Sequence, residues 1–322
     1  MAIAQGIFKQ VVYKKETTFG VKPVASGASA LPRTDFTLNL TKETFQSNRM
    51  ALHQQSAGTR HGTRHVEGTY NDEISCATHK DIWAALLRKT WVNGTVSPAA
   101  PGHLFVPQSG HTDDSFTFEE WRSDITTSQI YTGVKVTQAQ VNVQPSGMAT
   151  VGFSLMGQDM ESSIGSTRYF TTPTALPGNT PASGAVGELR IDSTAVAVVT
   201  AADFTINGGG TTEGVLGSAV SPDVFRDIIR VTGRFSLFHK DKTLLEKYIQ
   251  EQAISLIIKL DEPGGTHFIR FTMPKVLIGS YQVNDVPGGA VASCQFNADM
   301  NEGGVDDKAK SIILIEDSRI TA

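Results

Sequence analysis

Apolar and polar side chains alternate along much of this chain, which is the period of a half-buried β-strand. Ile7, Val11 and Tyr13 alternate with polar residues near the N-terminus and predict an ordered arm or strand. Val66-Glu67-Gly68-Thr69-Tyr70 alternates around a glycine, which marks a bend or a close backbone approach within a strand. Phe116–Arg122 and His267–Met273 read as further strands; in the latter Phe268, Arg270 and Thr272 share one side and Ile269, Phe271 and Met273 the other. Ser311–Glu316 is an apolar strand candidate after the polar stretch Asn301–Lys310. Helical spacing occurs twice. Ile82-Trp83 with Leu86-Leu87, and Leu244-Leu245 with Tyr248-Ile249, place apolar pairs at i, i+1, i+4 and i+5, a broad stripe on one helix face. Thr78 and Asp241 stand where N-caps are expected, and each stripe is expected to pack on its own sheet.

These features occur as pairs in the same order, which indicates an internal repeat. Asp35-Phe36-Thr37-Leu38-Asn39 is echoed 168 positions on by Asp203-Phe204-Thr205-Ile206-Asn207, and Val66–Tyr70 by Val231–Phe235, 165 positions on. The helices follow at an offset of 162. A hairpin pattern closes each copy: Gln140-Val141-Asn142 with Pro145 and Gly147 up to Asp159-Met160, and Gln282-Val283-Asn284 with Pro287 and Gly289 up to Asp299-Met300. The offset falls to about 140 because the first copy carries an extra Pro- and Gly-rich stretch, Val92–Thr112, which reads as an inserted surface loop. The predicted organisation is an N-terminal arm (1–32), a first unit (33–160, with the inserted loop 92–112), a Gly-, Ser-, Thr- and Pro-rich linker (161–187), and a second unit (188–322) that includes the C-terminal strand. The fold class is mainly β with one helix per repeat.

Composition narrows the function. The 322 residues are enough for two ordinary domains, and 39% of them are hydrophobic, so each can hold a core. A net charge of −4 argues against a sequence-reading DNA binder and is compatible with a wall that repels phosphate. The two cysteines, Cys76 and Cys294, sit among apolar or small neighbours and read as buried free thiols, suited to a reducing cytosol. The N-terminal segment lacks the apolar core of a signal peptide, and no apolar run is long enough to span a membrane.

Candidate chemistry is sparse. His61 and His65, with His53 and His79 nearby in sequence, suggest a metal site, but Gly62 and the strand pattern that follows argue against the helix that an i, i+4 pair needs. Gly208-Gly209-Gly210 is a turn or flexible tip rather than a phosphate loop, since no Lys-Ser/Thr follows. Asp113-Asp114, Glu119-Glu120 and Asp306-Asp307 are adjacent acids, and neighbours on a strand point to opposite faces. Trp83, Trp91 and Trp121 read as packing residues. No catalytic, cofactor-binding or metal-binding set is expected, and the chain reads as a non-enzyme.

The order of bent strand, single helix and long hairpin resembles the tail tube proteins of siphophages, also called major tail proteins. Val231 to Met300 carries most of the likeness: V-T-G-R-F, the helix K-D-K-T-L-L-E-K-Y-I, and the hairpin ending F-N-A-D-M. The resemblance implies two tandem tube units of β-sandwich or barrel type, similar to the tube proteins of contractile tails and of type VI secretion. In duplicated members, rings of three chains imitate a sixfold ring, and the inner strands join one barrel shared between subunits. The implied function is a structural virion protein, made in the bacterial host cytoplasm, that self-assembles into stacked rings forming the hollow tail through which DNA is ejected. Implied partners are other copies of the chain, a tape measure protein in the lumen, tail terminator and tail-tip proteins at the ends, and DNA that passes without specific binding. The alternative is another virion component or a carbohydrate-binding β-sandwich module. Images of hollow rings or compact monomers distinguish the two.

Overall fold

The computed structural model describes residues 3–49, 52, 55, 58–92, 101–164 and 167–320. Strands take 52% of the chain and helices 8%, so the protein is mainly β, as its alternation predicts. The first half runs β1 (Lys9–Lys15), β2 (Ser26–Ala30), β3 (Asp35–Gln46), β4 (Thr59–Glu73), α1 (Lys80–Leu87), β5 (Gly102–Phe105), β6 (Phe116–Arg122), β7 (Thr127–Val143), β8 (Thr150–Gly157), β9 (Asp159–Ile164) and β10 (Thr172–Thr174). The second half runs β11 (Gly187–Ile191), β12 (Thr194–Ala195), β13 (Val199–Asn207), β14 (Thr211–Thr212), β15 (Val224–Phe225), β16 (Arg230–Phe238), α2 (Thr243–Ile249), β17 (Ile254–Asp261), β18 (Phe268–Val286), β19 (Gly289–Ala298), the short α3 (Asp307–Lys310) and β20 (Leu314–Asp317).

One antiparallel sheet runs through both halves in the order β3-β4-β8-β7-β13-β16-β19-β18. β7 and β18 are long, and their first halves belong to other ladders. The first half of β7 joins β2-β1-β6-β7-β9. That of β18 joins β12-β11-β17-β18-β20-β5. The core lies between the shared sheet and these ladders. Phe36 of β3 meets Phe118 of β6 at 5.8 Å between ring centres, and Phe204 of β13 meets Phe271 of β18 at 5.1 Å.

The two halves pair in corresponding registers. Tyr70 stands opposite Phe153 and Phe235 opposite Cys294; Ala139 stands opposite Phe153 and Tyr281 opposite Cys294. The β7–β8 ladder shifts register between Val136 and Gln138, and the β18–β19 ladder between Ile278 and Ser280, 142 positions on. One pairing differs. Leu38 stands opposite Gly68, whereas Phe204 stands opposite Gly233. The D-F-T alignment, which equates Phe36 with Phe204, is therefore slipped by two residues in space; an even slip keeps every side chain on its own face. Both glycines serve a close approach: a Cβ at Gly68 would lie 1.6 Å from the Thr37 carbonyl oxygen, and one at Gly233 would lie 2.5 Å from that of Asp203.

The helices differ from expectation. Ile82 through Leu87 are all buried in α1, but no residue of α2 is buried: Leu244 and Leu245 are half-buried, while Tyr248 and Ile249 are exposed. The second stripe thus packs on its own sheet only in part: α2 lies against β18 and Leu244 rests on the core, while Tyr248 and Ile249, expected to pack there too, face away from it. Thr78 does not cap α1, which starts at Lys80; its hydroxyl bonds to that of Ser75 at 2.6 Å. Asp241 is not the N-cap of α2 either, a place that Lys242 takes, but its carboxylate accepts the Thr243 N–H at 2.9 Å from one position further out. Gly102–Phe105, inside the predicted surface insert, is a strand with Leu104 and Phe105 buried, because β20 pairs with it; residues 93–100 of that insert lie outside the described residues. Within the predicted N-terminal arm, β1 buries Val11, Val12 and Tyr13 and pairs with β6, and within the predicted linker β10 pairs with β2.

Candidate assembly surfaces

Alternation gives the eight-stranded sheet one apolar and one polar face. Phe36, Leu38, Tyr70, Phe153, Val141, Phe204, Phe235 and Phe296 point into the core. The opposite face presents Thr37, Asn39, Thr69, Gln140, Asn142, Thr205, Thr232, Gln282, Asn284, Gln295 and Asn297, all half-buried or exposed. Its hydroxyls and carboxylates bond within the face: Thr37 to Thr69 at 3.0 Å, Thr41 to Glu67 at 3.1 Å. Arg234 on this face is paired with Asp203 at 3.1 Å, and Arg230 with Asp227 at 3.0 Å. Lys135 is buried at its rim, held by Asp113 at 2.6 Å and Asp223 at 2.7 Å.

Two strand edges of this sheet have no strand partner among the described residues: the outer edge of β3, where the Phe36 carbonyl accepts from the Lys9 ammonium at 2.5 Å, and residues 280–286 of β18, which pair only with β19. The sheet is therefore open within one chain. Exposure registers the difference. Val141 in β7, flanked by β8 and β13, is fully buried, whereas Val283, at the corresponding place in β18, is 43% exposed.

Where the two halves meet, β7 pairs with β13, Val141 standing opposite Phe204 and Gln140 opposite Thr205. Helix α1 sits at this junction. Trp83 stacks edge-on against Phe153 at 4.9 Å and Phe271 at 5.7 Å, one ring from each half. Arg88, left-handed at φ 57, closes the helix and donates to the Gly208 and Asp227 carbonyls at 2.9 and 2.6 Å. Arg226 donates to the Ala85 carbonyl in the last turn at 2.7 Å and to the Asp114 carbonyl at 3.0 Å. Burial lowers its pKa to about 10, against the opposing pull of Asp113, and the guanidinium stays charged at neutral pH. A cation at a helix C-terminus satisfies carbonyls that the helix leaves free.

The residues singled out for chemistry take structural roles. His61 and His65 lie on β4, with His65 3.7 Å from Glu67. His79 is buried elsewhere, 3.0 Å from both Tyr70 and Asp72, and His53 lies outside the described residues. Asp113 faces Lys135 while Asp114 pairs with Lys15 at 2.8 Å. Glu119 accepts the Tyr169 and Phe170 N–H groups, and Glu120 on the opposite face pairs with Lys9 at 2.8 Å. Asp306 caps α3 through the Ala309 N–H at 2.8 Å. Gly209 is left-handed at φ 62 and donates its N–H to the Asn207 side chain at 2.9 Å. A cleft of about 820 Å³ contains both Ser311 and His111, but the Ser311 hydroxyl donates to the Ile313 carbonyl at 2.7 Å and accepts the Val106 N–H at 2.9 Å, so it is engaged in holding the chain. Sequence reading missed Arg88, Arg226 and the buried Glu16, since nothing in their local patterns signals a distant partner.

Compared with known proteins, residues 9–298, from the start of β1 to the end of β19, match a family model described as phage tail tube protein. No curated protein matches the chain.

Proposed function

Because the chain belongs to the phage tail tube protein family, we propose that it is a duplicated, siphophage-type member whose chains form rings of three that stack into a hollow tail. It is a structural component of the phage tail, and no helix among the described residues is long and apolar enough to cross a membrane. The observation that carries the finer reading is the matched pairing of the two halves, down to the register shifts at Val136/Gln138 and Ile278/Ser280. Two equivalent units per chain, taken three times, give six units around a ring. The domain scheme follows: a unit before about residue 160 and a unit after about residue 188, joined by 161–187.

Open edges support closure between chains. An unpaired edge strand is a hazard for a lone subunit, and pairing it with another chain removes the hazard. Eight strands per chain, taken three times, make a barrel of roughly two dozen strands, wide enough for an aqueous channel. We assign the polar face of the eight-stranded sheet, including the hairpins β7–β8 and β18–β19, to the inner wall. Its amides, hydroxyls and paired cations offer few free charges to phosphate, so DNA can pass without being held. A tape measure protein would occupy the lumen before DNA, and terminator and tip proteins would close the two ends. Relation to contractile-tail and type VI secretion tubes belongs to the same reading.

The test is a reconstruction of assembled particles from purified protein. Hollow tubes with three chains per ring are expected. A ring of six whole chains would overturn the duplication count, and a lumen lined chiefly by unpaired Lys and Arg would overturn the assignment of the inner face.

A further inference from the structure

We infer that one chain joins the next by repeating the junction it already contains: residues 280–286 of β18 pair antiparallel with β3 of a second copy, Val283 opposite Leu38 and Gln282 opposite Asn39. The inference rests on the tube reading and adds to it the edge and the register. Internally, Val141 stands opposite Phe204 and Gln140 opposite Thr205. Val283 takes the place of Val141, because both follow the same register shift by the same count and sit two positions past Ala139 and Tyr281, which face Phe153 and Cys294. Leu38 takes the place of Phe204, because each stands opposite the glycine of its neighbouring strand. The alignment of Phe36 with Phe204 would instead put Thr37 opposite Gln282. Both registers keep the faces, so only the tertiary pairing chooses between them.

Side chains agree with a missing strand on this side. Val283 is 43% exposed where Val141 is fully buried, and Ile249 is 68% exposed where Leu87 of α1 is fully buried. In the internal junction the second unit supplies Phe271 and Arg226 around α1. In the contact between chains, the first unit of the next copy would supply the corresponding cover for α2. One component is not repeated. β5, which follows α1 and straps it to β20, has no counterpart after α2, where the chain passes directly from Gln250 to β17. The contact between chains therefore lacks a strand pairing that the internal junction has, which suits a subunit that folds first and assembles afterwards.

Cysteine pairs on the polar face read the register, with the buried Cys76 and Cys294 left in place. Tubes of Asn39→Cys/Gln282→Cys, oxidised and run without reductant, are expected to give covalent species of two and three chains, and Thr37→Cys/Gln282→Cys far less. Tubes visible by electron microscopy with no cross-link from the first pair, or with the second pair cross-linking better, would overturn the register while leaving the tube reading intact. Should the double variant fail to assemble, hydrogen exchange on the wild-type protein decides. Alternate amides in β3 and in 280–286 should slow on assembly, and unchanged exchange in visible tubes would overturn the edge assignment. Wild-type protein that forms no tubes at all would remove the reading on which the inference stands.

Discussion

Leu87 of α1 and Ile249 of α2 hold the same place in the two apolar stripes, yet one is fully buried and the other 68% exposed. Replacing each with alanine should therefore act on different properties. Leu87→Ala leaves a cavity in a core that already exists, and is expected to destabilise the free chain by about 2–5 kcal/mol. Ile249→Ala removes a side chain that is mostly in water, and should leave the free chain within about 0.5 kcal/mol of wild type. If the next copy covers α2, the same deletion acts on assembly. Complete burial of such a side chain is worth about 1.5–3 kcal/mol, and two-thirds of that, about 1–2 kcal/mol per contact, changes a contact equilibrium roughly 5–30-fold. Urea unfolding of unassembled protein reads the first effect. The lowest concentration at which tubes pellet and appear in the electron microscope reads the second. Ile249→Ala assembling at the wild-type concentration would refute the cover proposed for α2, and an unchanged unfolding midpoint for Leu87→Ala would refute the packing of α1.

Glu16 is buried with four donors: its Oε2 accepts the Gly20 N–H at 2.9 Å and the Ser115 hydroxyl at 2.6 Å, and its Oε1 the Gly133 N–H at 2.9 Å and the Thr117 hydroxyl at 2.7 Å. Glu16→Gln turns one acceptor into a donor facing a backbone N–H, and a loss of about 1–3 kcal/mol or more is expected in urea unfolding; no loss would show that the network is dispensable. Gly68→Ala should abolish soluble folded protein, since its Cβ would lie 1.6 Å from the Thr37 oxygen, and a soluble variant with a native circular dichroism spectrum would contradict this. Burial alone would raise the Glu262 pKa, but the Arg319 bonds, the shortest at 2.7 Å, and the Cys76 N–H bring it below the ordinary value. A depressed folded pKa contributes stability above the unfolded value of 4.5 that is lost as pH falls through the folded one. Arg319→Ala should therefore lower stability at neutral pH and flatten the acid side of the stability profile, as followed by thermal unfolding between about pH 2 and 7.

Local pattern determined a good part of this protein. Alternation located β6, the two ends of β18 though not the stretch that joins them, and both hairpins; helical spacing located α1 and α2, and the strand glycines Gly68 and Gly233 announced close approaches that the backbone does make. These features depend on residues within a turn or a strand of one another, where period and sterics act directly. The paired landmarks were legible for the same reason. What the tertiary structure alone decided involves partners far apart in the chain. The two-residue slip that places Leu38, not Phe36, where Phe204 stands leaves the faces unchanged, so no sequence pattern records it. Gly102–Phe105 became a strand because β20 lies beside it, some two hundred residues later in the chain. Above all, two helices with matching stripes came to different ends. α1 is enclosed because the second half of the chain brings Phe271 and Arg226 against it, while α2 lies against β18 and leaves Tyr248 and Ile249 exposed. A stripe specifies that a face favours burial; whether another element of the fold reaches it is decided by the tertiary arrangement.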